Sequence, residues 1–221
     1  VRLTVSEVLA DAWRLYTRNS GRLIGIAVVV FGFLSAVQAL LNTTGSRLLV
    51  AVSVGVTIVG AVWVQGALVL AVDDLRGGPA GLSIGEIFRR VEPRLWTLLG
   101  AGLLVGVGVV AGLLLFIIPG LILLTYWSLV MPAAMLEHRG VLGSITRSQQ
   151  LVAGNFLRVF AIVAITIILS TIVSLMIVAI LSPLPDFVDI YVSGVIANGI
   201  TVPFVALAWT LTYMELRTIK G

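Results

Sequence analysis

Six stretches of apolar residues, each close to twenty residues long or longer, leave this chain few folds to choose from. A helix needs about 20 apolar residues to cross a hydrocarbon core about 30 Å thick, because each residue advances it by about 1.5 Å. The runs fall at 23–41, 48–72, 95–117, 119–136, 156–181 and 190–213, and none carries an ionisable residue near its centre. In lipid the backbone must satisfy its own polar groups, so spans of this length are helical. The third and fourth runs are separated only by Ile118-Pro119-Gly120. One continuous helix over 95–136 would reach about 63 Å, twice the membrane thickness. The proline and glycine therefore predict a tight helical hairpin. The expected fold is an all-α membrane protein, a single integral domain over residues 1–221 with six transmembrane helices arranged as three hairpins. Composition agrees, with 59% hydrophobic and 11% charged residues against about 25% charged in a soluble domain.

The charges that remain are placed asymmetrically. Arg2, Arg14, Arg18 and Arg22 precede the first run, and Arg76, Arg89, Arg90 and Arg94 lie between the second and third. Arg139, Arg147 and Arg158 lie around the join of the fourth and fifth, and Arg217 and Lys220 follow the sixth. With alternating loops, those thirteen share one side and Arg47 alone takes the other. Basic residues stay on the cytoplasmic side, which predicts a multi-pass protein of the cell membrane with both termini inside. The pI near 10.1 then reflects topology and not nucleic acid. Residues 1–20 lack an apolar core, so no cleavable signal peptide is expected there. Cysteine is absent, which excludes disulfides and cysteine metal sites.

A short amphipathic segment introduces each pair of spans. Thr4-Val5-Ser6-Glu7 and Ser83-Ile84-Gly85-Glu86 both fit a capping box, in which hydroxyl and carboxylate bond the first backbone N–H groups of a helix. Val5, Val8, Leu9, Ala12 and Tyr16 fall on one face of the first segment; Ile84, Ile87, Phe88 and Val91 repeat that spacing in the second. The third, over 141–152, lacks the glutamate, but Asn155-Phe156-Leu157-Arg158 echoes Asn19-Ser20-Gly21-Arg22 at the start of a span. These patterns predict cytoplasmic interfacial helices and three repeated units near 1–76, 80–136 and 138–217.

From the third span onward, Ile118-Pro119-Gly120, Tyr126-Trp127-Ser128, Pro132, Glu137, Arg147-Ser148, Leu151, Gly154-Asn155-Phe156 and Arg158 carry a likeness. On these residues the chain resembles the membrane domain associated with glycerophosphoryl diester phosphodiesterases. The Ala-Trp-Arg-Leu-Tyr stretch within residues 5–22 is similar to the start of such proteins. Some members carry a catalytic domain after the membrane part. The eight residues after the sixth run are too few for one, so the resemblance implies the membrane part only.

Candidate chemistry is sparse. His138 is the one histidine, and adjacent helical residues such as Glu137 and His138 point about 100° apart, so an interfacial anchor is expected in place of an acid–base pair. Asp73 and Asp74 are expected to cap a loop and offset Arg76. No catalytic, metal or cofactor residues are assigned. Glu137 is expected to pair with Arg147 or Arg158, because a carboxylate at the interface is costly without a cation. Gly102 and Gly106, and Gly108 and Gly112, have the four-residue spacing that lets helices approach closely, which suggests internal packing and makes the third span the candidate central helix. Gln65 and Asn198 are the candidates for a polar cavity. Pro132 and Pro203 are expected to kink their helices by freeing carbonyls near Ser128 and Gly199. The resulting expectation is a non-enzymatic scaffold or partner subunit in contact with membrane lipids, paired with another membrane protein or a second copy of itself. The alternative is a permease or lipid-handling transporter; a weaker one is a membrane enzyme acting on glycerophospholipid head groups.

Overall fold

A computed structural model describes residues 4–42, 46–77, 81–183 and 186–220. Among them the secondary structure is helical: α1 (Val5–Arg18), α2 (Ser20–Asn42), α3 (Arg47–Gly77), α4 (Ile84–Val91), a 3-10 turn at Glu92–Arg94, α5 (Leu95–Leu115), α6 (Ile117–Trp127), α7 (Val130–Leu136), α8 (Val141–Val152), α9 (Phe156–Leu181) and α10 (Asp186–Lys220). Six helical segments are long and apolar enough to cross a membrane, with α6 and α7 together forming the fourth. Their outward faces carry large exposed apolar side chains such as Phe33, Leu114, Ile168 and Met176, surface of the kind a bilayer covers.

Neighbours in sequence pack together as α2 with α3, α5 with α6, and α9 with α10. The α5–α6 turn lies earlier than the proline and glycine suggest. Phe116 alone, with an extended backbone, separates the two helices, and Pro119 and Gly120 sit in the first turns of α6. A proline costs nothing there because its missing N–H would have no partner. Gly120 matters for another reason: a Cβ at this position would come within 2.4 Å of Leu113.

The most enclosed helix is the sixth span and not the third. In the most apolar stretch of each, 50% of the residues in α10 are buried, against 22% in the segment containing α5. α10 touches α1, α2, α3, α7, α8 and α9, and Ala206, Ala208 and Leu211 are almost fully enclosed. Small side chains along α10 admit that many neighbours, whereas the glycines of α5 serve one side of the bundle.

The apolar faces of the three short helices are taken up by protein. Val8 and Ala12 of α1, Ile87 and Val91 of α4, and Leu151 and Val152 of α8 are all buried. At α4 the expected capping box is complete: Ser83 Oγ accepts from the Glu86 N–H at 3.3 Å, and Glu86 Oε2 accepts from the Ser83 N–H at 2.8 Å. At α1, Thr4 is the N-cap but makes no side-chain capping bond. Asn19 and Asn155, flagged by the sequence echo, have near-identical backbones, at φ −121°, ψ 21° and φ −124°, ψ 18°. Each carbonyl accepts two bonds from the following helix, Asn19 from Arg22 and Leu23, and Asn155 from Arg158 and Val159.

Candidate functional site

Two features converge on the fourth span, a helix break with a cavity beside it and a charge cluster at its end. The break follows from Pro132. Without an N–H this residue cannot bond the carbonyl four positions earlier, that of Ser128, and the helix is interrupted between Trp127 and Val130. Thr125 and Ser128 turn their hydroxyls back onto the carbonyls of Leu121 and Thr125. Ser148 of α8 donates to the Tyr126 carbonyl at 2.7 Å, which holds the break against the neighbouring helix. Pro203 acts differently: α10 runs unbroken past it, and Tyr16 donates to the nearby Ile200 carbonyl at 3.0 Å.

Beside the break lies a cavity of about 210 Å³ between α3, α5, α6–α7 and α10, lined by Gln65, Gly106, Trp127, Ser128, Pro132 and Thr210 among others. Gln65 is there as expected. Asn198 is not: it is exposed on α10 and donates to its own helix at Gly194. The two do not share a cavity, because Asn198 lies on the outward face of α10. Other neutral polar groups tie helices together, with Gln38 bonded to Thr57 and the Trp209 indole bonded to Thr166 at 3.1 Å.

The glycines of α5 divide by what they face. A Cβ on Gly108 would meet the Trp127 ring at 2.3 Å, one on Gly112 the Gly120 backbone at 3.0 Å, and one on Gly102 the end of Met131 at 2.9 Å. These three pack inward against the fourth span. Gly106 has nothing within 4 Å, since it borders the cavity and an apolar groove outside it.

At the end of α7 the Glu137 side chain is only 9% exposed. Its Oε1 accepts from Arg147 Nε at 2.9 Å and from the Tyr213 hydroxyl at 2.7 Å, with Arg217 Nε 4.0 Å away. Its Oε2 accepts from Arg139 Nε at 2.6 Å. Burial pushes this carboxyl up, but the hydrogen bonds from Tyr213, Arg147 and Arg139 outweigh it and hold Glu137 below its ordinary value. One carboxylate therefore joins α7, α8 and α10. Of the two arginines expected beside it, Arg147 is there and Arg158 is not; Arg158 donates to Asn155 in its own turn at 3.2 Å. Tyr213 and Arg217 lie too far along the chain for spacing to find, although they stand four apart on one face of α10.

The chain matches no known family model, no curated protein and no solved structure. Three further ties lie at the same ends of the spans. Arg22 pairs with Asp74 at 2.8 Å and donates to the Leu82 carbonyl; Arg94 donates to the Met135 carbonyl at 3.2 Å; Lys220 donates to the carbonyls of Gln150 and Ala153 at the end of α8. Asp74 thus serves Arg22 and the α3–α4 loop, while Arg76 lies 3.9 Å from Asp11 of α1. His138 is exposed and left-handed at φ 60°, where the chain turns after α7. Among the described residues no group of three or more histidines or carboxylates could hold a metal ion.

Proposed function

We propose that this protein is a non-enzymatic scaffold or partner subunit of the cell membrane, with three repeated units of a short interfacial helix and a helical hairpin. In this reading both termini and the charged ties lie on the cytoplasmic side, which the thirteen-to-one distribution of basic residues supports. The observation that carries the reading is the use made of the charges. Glu137, Asp74, Arg22, Arg94, Arg147 and Lys220 all bond helix to helix or helix to loop at one end of the spans. A face braced in this way is suited to hold a partner or lipid head groups in a fixed arrangement. The matching Asn19 and Asn155 turns support the repeat. Kinship with the glycerophosphodiesterase membrane domain is part of the proposal, supported by the stretch from Ile118 to Arg158 and by the Ala-Trp-Arg-Leu-Tyr stretch within residues 5–22.

The cavity beside Gln65 favours the second reading, a permease or lipid-handling transporter. At about 210 Å³ it has room for several waters of about 30 Å³ each, but it is small for a lipid. One experiment separates the two. The protein is extracted into nanodiscs with its native lipid, its particle mass is measured, and the purified chain is reconstituted in liposomes for flux and lipid-transfer assays. A companion protein or second copy at fixed stoichiometry, reassembled from pure components, is the expected result. A lone protomer that moves solute or lipid across the liposome membrane overturns it.

A further inference from the structure

The cavity at the helix break meets a groove on the outer surface between α3 and α5. The groove encloses about 640 Å³ and is lined by apolar side chains, among them Ile58 and Val62 of α3, Leu103 and Val107 of α5, and Met131 of α7. Gly102, Gly106 and Met131 border both spaces. A Cβ on Gly106 would have no protein within 4 Å, so no side chain stands between cavity and groove at that point. Leu103 and Val107 are 64% and 62% exposed, on surface of the kind a bilayer covers.

The inner end of this space is polar. Gln65 lies seven residues before Val72, the end of its apolar run, and so about 10 Å inside it. Its amide makes no hydrogen bond among the described residues, and neither amide atom is walled in by protein. An amide without a partner in apolar surroundings is costly, so an occupant that bonds it is favoured. Ser128, whose carbonyl Pro132 leaves without its helical donor, lines the same cavity. No lysine, arginine, histidine or carboxylate lines either space, so a charged head group would be buried there without a counter-charge. The cavity, at about 210 Å³, is small for a whole lipid but has room for a head group whose chain stays in the groove.

We propose that cavity and groove together bind one uncharged lipid with a hydroxyl head group, of the monoacylglycerol kind. The hydroxyls bond Gln65, whose amide offers both donors and an acceptor to match them, and the chain lies against Val62, Leu103 and Val107. This goes beyond the scaffold reading and does not depend on it. The measurement uses the whole purified chain without any partner, so the lipid site and the scaffold role fail separately.

The test is native mass spectrometry of the protein in detergent, titrated with three probes of one acyl chain. Monoolein carries the hydroxyls, methyl oleate lacks them, and oleoyl lysophosphatidate adds a charged phosphate. The wild type should bind monoolein about tenfold more tightly than methyl oleate, from two neutral hydrogen bonds, and should bind lysophosphatidate more weakly than monoolein. Q65L keeps the bulk of the side chain and should bring monoolein level with methyl oleate. Because the amide has no protein partner, lipid-free Q65L should melt no lower than the wild type, so its loss reads recognition and not folding. G106L, which fills the junction from a position facing open space, should weaken monoolein and methyl oleate alike. Equal binding of these two by the wild type overturns the proposal, as does a preference that survives Q65L or a lysophosphatidate bound as tightly as monoolein. Unchanged binding in G106L, or a Q65L that melts lower than the wild type, overturns it as well.

Discussion

Replacing Glu137 with glutamine keeps the shape of the side chain and removes its charge. In the wild type two well-placed donors, Tyr213 at 2.7 Å and Arg147 at 2.9 Å, meet one carboxylate oxygen. Arg139 meets the other, but its side chain is 46% exposed and should contribute only about 0–1 kcal/mol. Hydrogen bonds to a charged group are each worth about 1.5–3 kcal/mol. Glutamine retains a neutral acceptor on one side and turns an amide donor toward an arginine or phenol on the other. The net loss should be about 2–3 kcal/mol, or about 5–10 °C in melting temperature for a chain of this length. Thermal unfolding in detergent, followed by tryptophan fluorescence, reads this directly. In the double mutant E137Q/R147Q the second change should add less than about 0.5 kcal/mol, whereas R158Q should add its full effect because Arg158 bonds Asn155 instead. The pH dependence has a definite sign. The carboxyl of Glu137 is held below its ordinary value when folded. Its contribution is complete above the unfolded value of about 4.3 and is lost as pH falls through the folded value. E137Q should lack this acid-sensitive component. A melting temperature within a degree of wild type, or full additivity with R147Q, would refute the reasoning.

Two more outcomes follow from particular positions. G108A forces a methyl group to within 2.3 Å of the Trp127 ring and should cost about 1–3 kcal/mol by overpacking, while G106A meets open space and should be neutral or stabilising by up to about 1 kcal/mol through helix propensity; the same melting assay separates them, and equal losses would contradict the inward packing of Gly108. Single cysteines placed at Ser83, Gly143, Thr43 and Asp186 should react with an impermeant thiol reagent outside intact cells only at the last two, of which Thr43 and the Asp186 side chain lie outside the described residues; labelling at Ser83 or Gly143 would invert the proposed orientation.

The spans were legible because burial in lipid demands uninterrupted apolar runs, and hydropathy records that demand directly. Their ends were less so. α3 continues to Gly77 and α10 to Lys220, past the last apolar residues, because a helix does not stop where its surroundings become polar. The Glu137–Arg147 pair could be read from a ten-residue separation across one short turn. Tyr213 could not, since it arrives from 76 residues away and a tyrosine at the end of a span usually signals an interface. Pro132 and Pro203 show the limit of reading single residues: the first breaks its helix and the second does not. Glycine spacing in α5 pointed to close packing but not to its partner, nor to α10, the helix that holds the centre of the bundle.

That central helix is also the last of the six to be made. Synthesis runs at about 5–20 residues per second, so Tyr213 leaves the ribosome roughly 4–15 seconds after Glu137, 76 residues behind it. During that interval Glu137 has Arg139 and Arg147 as local partners, while the surfaces of α2, α3 and α9 that will face α10 have no protein against them. Insertion of the final span therefore seats the core and completes the coordination of Glu137 in a single event. Biogenesis of this bundle ends on its keystone, and a ribosome stalled within the last span would leave five helices gathered around a missing axis.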